Sequence, residues 1–267
     1  MRIGSLVLNT LESFLHNRLV ALVLILAACV VLLMLVPLMG AKSATTAANQ
    51  QGMEAAVLEM VSGVMSFVSA LGSILAAWGA ADALHSELKS GTVLAVMARP
   101  VKRWEFLLGK YLGVMAFMFC YVLVMMGMSY GLVAIAGMKI HAAPWILLVY
   151  PMVRYAIYAA LGLVFGTLVH PVITMGMILA LSLLTDFVGP GSFAWKPKLM
   201  WLKTGLYYLL PSTNLLTEGR FLSLRQAALK QATWLEHSIT LGYGLDCAVI
   251  LFVLAMWRFH YRSLRQD

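Results

Sequence analysis

Long apolar runs separated by short charged stretches make up most of the chain. A helix needs about 18 to 20 apolar residues to cross a bilayer. Six runs approach or exceed that length, at about 19–39, 56–81, 111–136, 145–169, 172–188 and 238–259. The first is too long for a signal-peptide core and is read as retained, despite the small residues near Ala44. Its lead, "IGSLVLNTLESFLHNRL", places Ile3, Leu6, Leu11, Phe14 and Leu15 broadly on one side when wound as a helix. That pattern predicts an amphipathic helix at the membrane surface. His170-Pro171 reads as a minimal turn between the fourth and fifth runs, because proline interrupts the helical ladder. Residues 189–237 form a polar-aromatic connector with two helix-like parts, one of them "KLMWLKTGLYYLLP". Its Trp195, Trp201, Tyr207, Tyr208 and Trp234 suit an interfacial position. The expected fold is all-α: one integral membrane domain over 1–267, with six transmembrane helices, a surface helix before the first and a helical outer connector before the last.

Composition supports that class. The chain is 62% hydrophobic and 11% charged, against roughly 25% charged in soluble domains. It has too little polar surface for a water-soluble globule. A net charge of +8 is explained by basic loop anchors, so no nucleic-acid partner is expected and membrane lipid is. Cys29, Cys120 and Cys247 lie in apolar runs without ligand spacing, and the scattered histidines contain no His-Glu-x-x-His pair. No metal site or disulfide framework is predicted.

Lys and Arg near span ends are preferentially retained in the cytoplasm. With the N-terminus inside, the inner side holds Arg2, Arg18, Lys89, Arg99, Lys102, Arg103, Lys110, Arg258, Arg262 and Arg265. The outer side holds Lys42 and Lys139, plus six basic residues in the one long connector, where the rule is weaker. Both termini are therefore expected in the cytoplasm, in a cell (inner) membrane.

Charge is concentrated in "ELKSGTVLAVMARPVKRWEFLLGK", residues 87–110, between the second and third runs. Gly91 and Pro100 bracket an apolar stretch long enough for about two helical turns, which proline stops near Arg99. Glu87, Lys89, Arg99, Lys102 and Arg103 are expected to face water or a partner. The pattern E-x-x-x-G-T-(x7)-P-V-x-R-(x5)-G-K, carried by Glu87, Gly91, Thr92, Pro100, Val101, Arg103, Gly109 and Lys110, resembles the intracellular loop of ABC-2 type permeases. "LESFLHNRL", with Glu12 and Arg18, is similar to that family's opening helix.

The resemblance implies the membrane subunit of an ATP-driven exporter. Its loop would be a cytoplasmic coupling helix seated in a separately encoded ATPase, and a second permease copy would complete a homodimer or heterodimer. Glu87, Lys89, Gly91, Thr92, Arg99, Pro100, Lys102 and Arg103 would form the contact. This chain has no G-x-x-x-x-G-K-[ST] phosphate loop: Trp104 stands where the first glycine belongs and Tyr111 where Ser or Thr belongs. It is thus not expected to be an enzyme. No cofactor is expected in it, and ATP and Mg would be bound by the partner.

Two charges fall within spans: Arg154 about 15 Å and Asp246 about 12 Å from the outer side, at 1.5 Å per residue. A charge at mid-bilayer costs about 2.5 to 3.5 kcal/mol on insertion scales. The two are read either as a bridge locking the bundle or as a polar lining to a substrate path. Methionines such as Met125, Met126, Met128, Met175 and Met177 read as flexible core filler before soft metal ligands. An ATP-independent secondary transporter or channel is the competing class; it calls for several paired ionisable residues or broken helices at mid-membrane. The substrate is not legible in the residues.

Overall fold

The computed structural model of the protein describes residues 2–33, 50–90, 102–135, 144–188, 211, 213–216 and 234–261. These contain seven α-helices and no strand: α1 Arg2–Leu15, α2 Arg18–Leu33, α3 Gln50–Ser90, α4 Arg103–Ile135, α5 Pro144–Gly166, α6 Pro171–Val188 and α7 Trp234–Tyr261. A short 3₁₀ turn at Thr213–Leu216 precedes α7.

The six apolar runs map unevenly onto these helices. Four helices are long and apolar enough to cross a membrane: Ser62–Lys89, Arg103–Met128, Trp145–Gly166 and Trp234–Tyr261. The bent pair α1 and α2, at 67° to each other, makes a fifth if counted as one span, and the apolar Pro171–Ser182 is shorter. Helix ends also overrun the runs. α3 extends to Ser90, beyond residue 81, and α4 begins at Arg103, ahead of Tyr111. An apolar run marks only the oily part of a helix; backbone hydrogen bonding continues through Asp82, Glu87 and Glu105. Most of the 189–237 connector lies outside the described residues.

Local chemistry sets the breaks. Asn17 accepts a hydrogen bond from the Leu19 amide on its Oδ1 at 3.0 Å, capping α2 where α1 ends. α6 opens on Pro171, whose missing N–H costs nothing in a first turn. Pro151 sits inside α5 and removes one bond of its ladder.

α5 is the centre of the bundle and packs most extensively on α3. Close approach is made possible by Gly162, where an added Cβ would stand 2.2 Å from the Ala77 carbonyl oxygen, and by Gly166, at 2.8 Å from the Ala81 Cα. α7 packs on α5 along a stripe of His237, Gly244, Ala248, Ala255 and Phe259. At its first turns, the Tyr150 hydroxyl meets His237 Nδ1 at 2.7 Å and Trp145 stacks on Trp234.

The amphipathic face of α1 is directed into protein. Phe14 is buried against Phe117 and under Gly79, while Leu6 and Thr10 lie against Gly109 and Gly113 of α4. Leu15, assigned to the same face by spacing, is 63% exposed.

Candidate coupling site

α3 runs outward through Glu87 to Ser90, and the chain re-enters as α4 at Arg103. Gly91, Thr92, Arg99 and Pro100 lie outside the described residues, so the site is built from the two helix ends that hold the intervening segment. α4 starts cleanly because Glu105, three residues on from Lys102, accepts a hydrogen bond from the Lys102 amide at 3.1 Å. This is the reciprocal half of a capping box.

About two turns along α4, the Lys110 ammonium pairs with a Glu87 carboxylate oxygen. The lysine side chain is 4% exposed and the glutamate 17%. Two charges taken from water gain little net stability from pairing, but losing either one leaves the other stranded. The pair thus fixes the end of α3 to the start of α4.

Arg103 forms the second attachment. Its Nη1 donates to the carbonyl oxygens of His260 at 2.7 Å and Phe259 at 3.4 Å. These carbonyls lie in the last turn of α7, where the ladder leaves acceptors unused and the helix dipole favours a cation. Phe106, one turn on, stacks on Phe259 at 6.0 Å and lies beneath the Lys110 ammonium. The start of α4 is therefore tied to both α3 and α7.

Of the five charges expected to face water or a partner, two are half-buried and also bonded inside the protein. These are Glu87, paired with Lys110, and Arg103, bonded to the end of α7. Lys89 and Lys102 are exposed, as expected, and Trp104 beside them is 46% exposed. Arg99 lies outside the described residues.

Near the same end, sequence reasoning missed a polar cluster. Asn17 Nδ2 donates to Asp82 Oδ2 at 3.4 Å, and Asp82 lies within electrostatic reach of His85 and His170, whose rings meet edge to face at 4.9 Å. The cluster joins the α1–α2 bend, α3 and the α5–α6 turn. Its only sequence signal was polar residues past the end of an apolar run.

The two intramembrane charges are not brought together. Arg154 is buried, donates from Nη1 to Ser69 Oγ at 3.4 Å and lies over the Tyr158 ring at 5.8 Å. Asp246 is exposed. The reason is angular: Gly244 packs against Val153, and two residues on is about 200° around a helix of 3.6 residues per turn. Similar depth alone did not encode that direction.

The family model described as "ABC-2 family transporter protein" matches residues 10–264. The chain belongs to this family. Among curated proteins nothing matches. This ABC-2 permease is a multi-pass membrane protein, and its family assignment spans every helix that builds the site. The match extends the resemblance seen in residues 87–110 to nearly the whole chain.

Proposed function

We propose that this permease is the transmembrane subunit of an ATP-driven exporter, moved by an ATPase carried on a separate chain and paired with a second permease copy. ATP and Mg would be held by the ATPase. In this reading the chain spans an inner membrane six times, with both termini and residues 87–103 on the cytoplasmic side. The observation that carries the reading is the double attachment of α4, by Lys110 to Glu87 and by Arg103 to the end of α7. A push on the segment between α3 and α4 is thereby delivered to three helices at once. Rigid-body tilting of packed helices is an established form of such switching.

A cavity between α3, α4 and α5, lined by Met65, Ser69, Tyr121, Met125, Pro151 and Tyr155, has a volume of about 20 Å³. That is room for about one water molecule. In this reading cargo crosses between two permease subunits. ABC-2 family membership favours a partner-driven permease over a self-sufficient channel.

Lys89 and Lys102 flank the segment and are free of the internal attachments, so they report on ATPase contact without disturbing the bundle. The tagged permease, isolated from its own host membrane, is expected to bring down an ATPase. Lys89→Glu combined with Lys102→Glu is expected to lower the captured ATPase roughly tenfold, equivalent to about 1.4 kcal/mol. Undiminished capture by the double variant, or no ATPase with the unaltered chain, would sink the proposal.

A further inference from the structure

Asp246 lies on the side of α7 that the bundle leaves open. The helix runs Trp234–Tyr261, which puts Asp246 roughly 18 Å from its first residue and roughly 22 Å from its last. This is mid-depth for a hydrocarbon layer about 30 Å thick. Its stripe continues through Ile239, Val249, Ile250, Val253 and Trp257, each at least half exposed. Gly242, one turn before Asp246, has open space where a Cβ would stand. No hydrogen bond or ion pair involves Asp246 among the described residues.

A carboxyl facing lipid at this depth is unfavourable in either protonation state. Ionised, it lacks solvation; neutral, it lacks a hydrogen-bond partner. A cation at equal depth answers both problems. Among the described residues a second copy of this chain offers none at that depth: the exposed basic groups Arg18, Lys89, Lys102 and Arg258 lie near helix ends, while Lys110 and Arg154 within the spans are buried. A symmetric pair built on this face would set Asp246 against its own image.

We propose that the Asp246 stripe of α7 is a docking surface for a transmembrane helix of another protein, one that carries a lysine or arginine at mid-span. The cation supplies charge complementarity. Gly242 allows the incoming backbone to come close, as small residues do at helix contacts in membranes. The inference does not depend on the ATPase contact: Asp246 lies about four turns from the Phe259 and His260 carbonyls through which α7 joins the coupling site.

The test uses the full chain in its own host membrane, with a photoreactive amino acid in place of Val249. The expected product is an adduct to one membrane protein whose spanning helix contains a Lys or Arg. Asp246→Asn is expected to lower adduct yield roughly tenfold, equivalent to about 1.4 kcal/mol. Exchanging the charges, Asp246→Lys with the partner's basic residue changed to Asp, is expected to restore it. An unchanged size-exclusion profile of the Asn variant in detergent shows that the fold is intact. An adduct only to a second copy, an adduct insensitive to Asp246→Asn, or no protein adduct overturns the proposal.

Discussion

Lys110→Met is expected to destabilise the permease by about 3 kcal/mol and, on the proposed function, to uncouple it from the partner ATPase. Methionine fills much of the lysine stem's volume, so the loss is chiefly electrostatic: the Glu87 carboxylate stays in a site that no longer answers its charge. The estimate is at the low end for a broken buried pair because the Glu87 side chain keeps 17% of its exposure. Glu87→Gln in the same chain removes the stranded charge. The double variant is therefore expected to recover most of the stability, with a coupling of about 2 kcal/mol between the two sites. Thermal unfolding in detergent measures the first quantity. Coupling is read from ATP hydrolysis by the reconstituted complex, which the double variant leaves impaired because α3 and α4 are no longer tied. Equal destabilisation by the single and double variants would contradict this role for the pair.

Gly162→Leu is expected to prevent assembly of the bundle. The first added carbon already falls 2.2 Å from the Ala77 carbonyl oxygen and 2.9 Å from its carbonyl carbon. Backbone atoms cannot move aside as a flexible side chain can, so α3 and α5 must separate. Overpacking typically costs about 1 to 3 kcal/mol, and a contact made by two helix backbones belongs at the upper limit or above. Gly176→Ala is the control, since nothing lies within 4 Å of its added Cβ. It is expected to be neutral or to stabilise by up to about 1 kcal/mol through helix propensity. The readout is the monodisperse fraction after size-exclusion chromatography. A normal elution profile for Gly162→Leu would refute the close α3–α5 contact.

How far the sequence disclosed this arrangement depends on the scale considered. Apolar run length revealed the helical membrane class, because bilayer thickness imposes it directly. His170-Pro171 revealed a turn, because proline acts locally. Helix ends were less legible: Glu105 capping Lys102 is a local signal, yet it lay outside the apolar run that defined the span. The Gly162-x-x-x-Gly166 spacing was also present and reports close helix approach, but it does not name Ala77 and Ala81 as the partners.

The site was partly legible for the same reason. Spacing brought out Glu87, Arg103 and Lys110 as members of one motif, whereas their directions depend on long-range packing. Glu87 meets Lys110 across the α3–α4 junction, and Arg103 meets a helix end more than 150 residues away. The same limitation governs Arg154 and Asp246. Depth follows from counting residues, but facing follows from which side of α7 packs on α5, and Gly244 decides that.

The most direct measurement is crosslinking from Lys102→Cys, in a chain whose Cys29, Cys120 and Cys247 are replaced by serine or alanine, to the ATPase in the assembled complex. A short bifunctional thiol-to-amine reagent is expected to yield one permease–ATPase product whose amount changes between the nucleotide-free and ATP-bound states. A cysteine at 102 that is fully labelled by a soluble reagent in both states, with no ATPase adduct while the complex remains intact, would contradict the coupling role proposed for this segment.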